Sequence, residues 1–529
     1  MALLTLRQFT TRSASALVAL GLACLFSGHS AATEASPSAT PGVSIPAGQI
    51  DKAVGELDRL AAEMMQRSGV PGMAVAVVQD GKVAYAKGFG LRRVGSPEPV
   101  DADTVFQLAS LSKSLAATVV AQQVGAGVIS WNTPLVEHLP WFKLEDPWIS
   151  THVTIADMFS HRSGLPDHAG DDLEDLGYGR RQVLERLKLL PLEGFRDVYA
   201  YTNFGLTAAA EAVAVASGRT WEDLAAEVLY KPLGMISASS RFDDFESRPN
   251  RVQGHIKTEA GFVPNTLRQP HAQSPAGGVS GSVNDVARWM TMILQDGRFE
   301  GRQIIPKDAL LPAMRAEMIS DPSPTAETRP GFYGYGMNVG VSPAGRIVIS
   351  HSGAFSMGAG TFYALIPSAG VGIVVLTNAA PTGAAEALGN EFNDLVQFGT
   401  ITRDWYPPYA AFMKALNAPA GGLSGKEPPK DPQAAGAPGD YTGPYNNDYF
   451  GPARIEEVDG QLTLAIGPAG IRYRLRHWSG DRFAFSPASE NQTAGSVAEL
   501  TFTRDGAGRA DAAFTIDYLN ENGFGTFAR

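Results

Sequence analysis

Apolar and polar positions along this chain follow two different periods, and the places where the period changes divide it. Over residues 51–67 the apolar positions Val54, Leu57, Ala61, Met64 and Met65 return at helical spacing, which predicts a helix with one face on a core. Residues 73–79 and 82–88 are β-favouring runs joined by Asp80-Gly81, a pair that accepts the positive φ angles of a tight turn. They predict an antiparallel hairpin. Helical patterning or good helix formers then occupy 115–126, 155–160, 181–190, 207–217, 221–229 and 284–295. Strand-like runs return at 334–339, 346–350, 360–366 and 370–377, and a helix is expected over 384–398. Strands at both ends with helices between them predict an α+β fold. One antiparallel sheet is assembled from the two ends of the domain, with helices over both faces.

Composition then marks the boundaries. Between 417 and 439 proline, glycine and alanine dominate (APAGGLSGKEPPKDPQAAGAPG), which reads as a linker with too little to bury. Beyond it, over 440–529, short alternating strands are expected at 454–458, 461–466, 473–477, 482–485, 497–503 and 512–518, with turn pairs at Asp459-Gly460 and Asp505-Gly506. That spacing predicts a small antiparallel β-barrel, lipocalin-like, or a sandwich.

The first residues bear on destination. Arg7 and Arg12 open the chain without an acid, a compact apolar run covers 14–26, and Ser30-Ala31-Ala32 suits a cleavage site. Residues 1–32 therefore read as a signal peptide and 33–49 as a flexible lead-in, the apolar run being too short for a comfortable membrane span. The expected location is periplasmic or secreted. Cys24 is the only cysteine and lies inside that segment, so a mature chain would have no disulfide, thiol nucleophile or cysteine metal site. A net charge of −11 with no basic cluster argues against nucleic acid or anionic lipid as a partner.

Three segments carry candidate chemistry. Ser110-Leu111-Ser112-Lys113 opens a helix, where residues i and i+3 share a face, so the Ser110 hydroxyl and the Lys113 amine can meet. A serine needs a neighbour to take its proton, and a lysine can do so if burial lowers its pKa. Ser112 points elsewhere on that helix. Tyr201 and Asn203, two apart in an extended turn, can face one cleft; a tyrosine can relay a proton and an asparagine can hold an amine or a carbonyl. Ser350-His351-Ser352-Gly353-Ala354 ends a predicted strand, with Gly353 allowing a substrate backbone to lie close. Each segment alone has a plainer structural reading: an N-cap serine before a solvated lysine, a turn with a packed aromatic, a strand-end histidine.

In this order the three resemble the serine β-lactamase and penicillin-binding family, most closely its class C and D-aminopeptidase/esterase-like branch, whose pattern is S-x-x-K, Y-x-N and K-T-G or H-x-G. Supporting stretches are Met158-Phe159-Ser160-His161-Arg162-Ser163-Gly164-Leu165-Pro166, Lys231-Pro232-Leu233-Gly234-Met235 and Pro275-Ala276-Gly277-Gly278-Val279-Ser280-Gly281-Ser282. The resemblance covers residues 51–398 and implies a hydrolase domain over 50–416, with an antiparallel sheet flanked by helices and an all-helical subdomain. It implies that Ser110 is acylated and that Lys113 and Tyr201 share the acid and base work, without deciding which deprotonates Ser110. Asn203 would orient Lys113 and the substrate, and His351, Ser352, Gly353 and Ala354 would line the substrate. The backbone N–H groups of Ser110 and Ala354 would form the oxyanion hole.

The implied activity is that of an exported serine hydrolase cleaving an amide or ester, of D-amino-acid peptidase, amidase or esterase type. It would need no cofactor or metal and would act on a small molecule or peptide such as a cell-wall fragment. The alternatives are a class C-like β-lactamase and a non-catalytic peptidoglycan-binding relative. The β-lactamases of the family generally have lysine where this chain has His351, which is only partly charged near neutral pH and favours amide or ester chemistry over β-lactam hydrolysis. The remaining histidines show no metal-ligand spacing, and His161 reads as a packing residue. Asp167, Asp171 and Asp172, beside His168, read as a solvated loop. Tyr441, Tyr445, Tyr449, Phe450 and Trp478 read as barrel core, and the barrel is expected to dock near the cleft and limit substrate size.

Overall fold

The computed structural model describes residues 41–504 and 512–529. The expected signal segment, most of the lead-in and the Asp505-Gly506 turn lie outside the described residues.

Eight strands form the main sheet: β1 (Gly72–Gln79), β2 (Lys82–Gly90), β3 (Met318–Asp321), β4 (Gly331–Tyr333), β5 (Asn338–Val341), β6 (Ile347–Phe355), β7 (Ala359–Ile366) and β8 (Val371–Thr377). Their order is β2-β1-β8-β7-β6-β5-β4-β3. β1 and β8 come from opposite ends of the domain and lie side by side, antiparallel, with Met73 opposite Thr377 and Gln79 opposite Val371. The hairpin between β1 and β2 turns at Asp80 and Gly81, with φ of 49° and 75°, as that pair permits.

The helices that matter for the site are α1 (Leu57–Ser68), α2 (Leu111–Gly125), α3 (Ile155–Phe159), α4 (Asp171–Asp175), α5 (Asn203–Ala216), α6 (Val283–Leu294), α7 (Ala384–Phe398) and α8 (Tyr406–Leu416). Side chains on β1 alternate between two cores, as the strand period requires. Met73, Val75 and Val77 pack with Leu57, Leu60 and Met64 of α1 and with Leu388 and Phe392 of α7. Ala74, Ala76 and Val78 face the opposite core, which includes Leu115 and Val119 of α2 and Val286 and Met290 of α6.

Among the expected elements that differ in the structure are a helix and two strands of the hydrolase domain, and the strand expected at 473–477, which is two strands, Ile471–Arg474 and Arg476–Ser479. The helix expected over 51–67 is two helices, Gln49–Gly55 and Leu57–Ser68. The run at 334–339 is not one strand: the chain leaves β4 at Tyr333, passes through Gly336 at φ 68°, and re-enters the sheet at Asn338. That excursion is fixed by the Gly336 amide, which donates to the Phe159 carbonyl (3.0 Å), and by the Gly336 carbonyl, which accepts from the Ser114 hydroxyl (2.6 Å). The strand expected to stop at residue 350 runs on to Phe355, so the His351–Ala354 motif lies within β6, paired along β7.

Beyond residue 440 nine strands form a nearly closed barrel: β9 (Gly443–Asn447), β10 (Gly451–Val458), β11 (Gln461–Ile466), β12 (Ile471–Arg474), β13 (Arg476–Ser479), β14 (Arg482–Phe485), β15 (Ala498–Thr503), β16 (Ala513–Ile516) and β17 (Thr526–Ala528). Their order is β12-β11-β10-β9-β17-β16-β15-β14-β13, so the two end strands are neighbours in sequence and the sheet curls until its edges approach. Tyr441, Tyr445, Tyr449 and Phe450 belong to its buried core as expected, whereas Trp478, also expected in that core, is buried in a separate cluster with Leu423 and Ala484. The segment 417–439 carries a single 3-10 turn at Pro438–Asp440 and is otherwise without helix or strand. It is nonetheless laid against the barrel: Leu423 is buried with Trp478 and Ala484, and its amide donates to the Val497 carbonyl (3.1 Å). No helix among the described residues is long and apolar enough to cross a membrane.

Candidate active site

Ser110 stands at the head of α2, just after Ala109, whose φ of 47° is in the left-handed region that a residue with a Cβ seldom adopts. The turn is held on both sides. The Leu108 amide donates to the Val279 carbonyl (2.8 Å), and the Thr361 hydroxyl of β7 donates to the Leu108 carbonyl (2.9 Å). Ser110 occupies the N-cap position, yet its side chain caps no backbone amide. Its hydroxyl oxygen instead accepts from the Tyr201 phenol (2.9 Å) and lies 3.1 Å from Lys113 Nζ. The plainer reading, a capping serine followed by a solvated lysine, therefore fails on both residues. Ser112 is buried, and its hydroxyl oxygen accepts from the Val279 amide (3.0 Å).

Lys113 is 0% exposed. Besides Ser110, its amine donates to Asn203 Oδ1 (2.7 Å) and to the Ala276 carbonyl (3.0 Å), and it stands 4.6 Å from the centre of the Tyr201 ring. These partners are neutral, so little compensates for desolvation of an ammonium. Burial lowers the Lys113 pKa to about 7, against the opposing pull of Asp171. An ordinary lysine at pH 7 has about one amine in three thousand neutral; here the share is about one in two.

Tyr201 and Asn203 flank Thr202, whose φ and ψ of −130° and 120° are extended, and this sends both side chains to one side ahead of α5. Burial raises the Tyr201 pKa well above 10, with the Ser110 contact opposing. The phenol therefore keeps its proton and is suited to donate it. Asn203 spans two partners: its carbonyl faces Lys113, and its amide donates to Asp171 Oδ2 (2.8 Å).

β6 forms the facing wall. His351 is 4% exposed. Its Nδ1 lies 2.6 Å from the Ser352 carbonyl, which can only accept, so Nδ1 carries the proton and Nε2 accepts from the Tyr333 phenol (2.9 Å). Burial, with Lys113 nearby, lowers its pKa to about 3. The expectation of a partly charged histidine is thus corrected: the ring is neutral, and both nitrogens are occupied. Ser352 also departs from its expected place. Alternation along the strand turns its hydroxyl to the other face of the sheet, where it donates to Glu386 of α7. Gly353 does lie at the nucleophile: a Cβ there would stand 3.1 Å from the Ser110 amide nitrogen and 2.7 Å from the Leu108 carbonyl, and would overlap the Thr361 hydroxyl. Ala354 follows it on β6, opposite Gly360 of β7.

Around these residues lies a layer that motif spacing did not reveal. His161 is fully buried; its Nδ1 accepts from the Thr202 amide (3.2 Å), and its ring packs against those of Tyr199, Tyr201 and Tyr333. The loop read as solvated is not so at Asp171, which is 5% exposed and joins Asn203 to His168. A histidine three residues before an acid was the available signal.

The barrel reaches both walls. Glu490 accepts from the Ser356 amide (2.7 Å) and the Met357 amide (3.3 Å) just past the end of β6, and the Ser356 hydroxyl donates to the Glu490 carbonyl (2.6 Å). The neighbouring Asn491 donates from its backbone (3.1 Å) and its side chain (3.0 Å) to Asp175 of α4. Between them Arg268 pairs with Glu174 and lies 3.8 Å from Asp175.

Comparison with known proteins adds the following. The family model described as Beta-lactamase matches residues 57–398, and one described as a domain of unknown function (DUF3471) matches 427–522. Unguisins hydrolase ungD' of Aspergillus campestris is 28% identical over 332 residues, which are 60% of this chain and 60% of that protein. The D-alanyl-D-alanine-carboxypeptidase/endopeptidase AmpH of Escherichia coli is 25% identical over 64% of this chain and 88% of its own. Among solved structures, the octameric penicillin-binding protein homologue from Pyrococcus abyssi superposes with a TM-score of 0.57 at 21% identity, over 88% of this chain and 98% of that one.

Proposed function

Since the chain belongs to the beta-lactamase family, we propose that it is a serine hydrolase cleaving an amide or ester through an acyl-enzyme on Ser110. The observation that carries this reading is Lys113, a fully buried amine with neutral partners, 3.1 Å from the Ser110 hydroxyl oxygen. Its pKa of about 7 suits a base at neutral pH, whereas the raised pKa of Tyr201 suits an acid.

In the forward step Ser110 Oγ forms a bond to the substrate carbonyl carbon and its proton passes to neutral Lys113. The carbonyl oxygen takes up negative charge against the Ser110 and Ala354 backbone N–H groups. Collapse breaks the bond to the leaving group, which takes the Tyr201 proton. Lys113, which took the Ser110 proton, then returns a proton to the phenol, leaving the amine neutral. Water then attacks the ester carbonyl, giving its proton back through the same pair, and the acid product leaves with Ser110 restored.

The neutral His351 bears on substrate class. A permanent cation there would meet the carboxylate of a penicillin or a D-Ala terminus, and a neutral imidazole does not. This supports amide or ester substrates over β-lactams, with a peptide or small-molecule acyl donor. Export to the periplasm or medium through residues 1–32 belongs to the same proposal, and cell fractionation of the full chain tests it.

To test the activity, the protein and its Ser110→Ala variant are compared on p-nitrophenyl butyrate, nitrocefin and D-Ala-p-nitroanilide. Turnover of the ester or anilide that vanishes in the variant is expected. Nitrocefin as the best substrate would place the protein among β-lactamases instead. Absence of both turnover and fluorophosphonate labelling would leave a binding module.

A further inference from the structure

The buried carboxylate of Asp171 is the feature of this region that the proposed chemistry leaves unused. It lies on the first turn of α4 and accepts the Asn203 amide at 2.8 Å and the His168 ring at Nδ1 at 2.9 Å, both on Oδ2. Its other oxygen, Oδ1, is buried with no hydrogen-bond partner among the described residues. The loop that delivers it is tied to the extended segment at Tyr201 as well, because the His168 amide donates to the Tyr201 carbonyl (2.8 Å), with His168 itself at a φ of 55°. Strain of that kind persists where surrounding bonds over-determine the turn.

Resting on the hydrolase reading above, we infer that Asp171 and His168 are a positioning pair that fixes which way the Asn203 amide faces and sets the proton affinity of Lys113. An asparagine amide can present either its oxygen or its nitrogen to Lys113. A carboxylate only accepts, so Asp171 takes the NH2 end and leaves the oxygen for the lysine. With Asn203 Oδ1 and the Ala276 carbonyl accepting its two hydrogens, a neutral Lys113 keeps its lone pair for Ser110. The charge of Asp171 also acts through Asn203, and its attraction raises the Lys113 pKa against the effect of burial. His168, its side chain largely exposed, is the counterweight: the hydrogen bond of its ring to the Asp171 carboxylate raises its pKa to about 9, so it is a cation at neutral pH.

The other charged or titratable groups about the pair are placed as follows. Asp167 adjoins His168 in the loop; Asp172, Glu174 and Asp175 share α4; Arg268 and the barrel's Glu490 lie beyond them, with Tyr449 toward the barrel. Around Lys113 are Tyr201, His161 and His351, the two histidines held neutral by burial.

The test compares the full-length protein with Asp171→Asn and His168→Gln, the latter keeping a donor to Asp171 without the charge. The pH dependence of fluorophosphonate labelling of Ser110 and the titration of Lys113 by NMR of 13Cε-labelled lysine are followed in parallel, with Lys113→Met assigning the resonance. Loss of the anion is expected to move the Lys113 titration and the labelling limb to lower pH by about 1 unit, and loss of the cation to move both upward. Labelling of Asp171→Asn at its plateau should fall about ten- to a hundredfold through misplacement of the amide. A lower plateau with an unmoved Lys113 titration in both variants would mean a purely structural role and overturn the inference. Failure of the parent protein to label at Ser110 would count against the hydrolase reading, while the NMR titrations would still decide this one.

Discussion

A lysine amine sealed from water is a liability to the fold, and at Lys113 the cost can be separated from the use. In the unfolded chain the amine titrates near 10.5, and in the folded one near 7. Between these values the unfolded state binds more protons, so stability rises with pH across that window and is lost as pH falls through about 7. Lys113→Met removes the desolvation penalty along with the base. At pH 6 the variant should be inactive yet more stable than the parent in urea denaturation, by a few kcal/mol (roughly 1–4), and the gap should close toward pH 10. A destabilised variant at pH 6 would contradict the burial of a strained amine. This residue was legible in the sequence because i and i+3 on a helix, and i and i+2 in an extended turn, are short-range relations. Asp171 was legible only as the acid three positions after His168; its contact with Asn203 joins two separate elements across 32 positions, and no local spacing encodes that.

At the scale of elements, the third motif shows where local pattern runs out. His351-Ser352-Gly353-Ala354 has little intrinsic strand preference, and the sequence reading therefore ends the strand before it. Pairing along β7, from Ile349–Leu365 to Phe355–Ala359, carries the strand through the motif regardless. The same alternation decides which motif residues face the nucleophile: His351 and Gly353 do, and Ser352 faces Glu386. Gly353→Ala should push β6 away from the Ser110 turn. We expect about 1–3 kcal/mol of lost stability and a fall in acylation rate of about a hundredfold, read by denaturation and by burst kinetics with p-nitrophenyl butyrate. Ser352→Ala should change acylation far less than Gly353→Ala. Equal losses would mean that Ser352 serves the substrate after all.

For the molecule as a whole, the presence of two antiparallel sheets follows from hydrophobic periodicity and turn pairs, whereas their strand order and the contact between barrel and hydrolase fold do not. Tyr178 carries that contact: its phenol donates to the Phe450 carbonyl (2.9 Å), and it belongs to the same buried cluster as Tyr445 and Phe450. A shared core of this kind predicts one cooperative thermal transition for the two parts, and two separated transitions in calorimetry would contradict it. Glu490 and Asn491 tie the barrel to both walls of the site, so Glu490→Ala should free the turn at Ser356 and raise kcat/KM for bulky acyl esters relative to small ones. An unchanged ratio would separate the barrel from substrate choice. Buried Lys113 is proposed as the base that drives acylation of Ser110, and the decisive measurement is the pH profile of acyl-enzyme formation, read by intact mass and peptide mapping after brief exposure to p-nitrophenyl butyrate. Acyl mass is expected on Ser110, its rate of formation rising through a single limb near pH 7 and absent in Lys113→Met; acylation at another residue, or a rate that survives the loss of the amine, would contradict this role for Lys113.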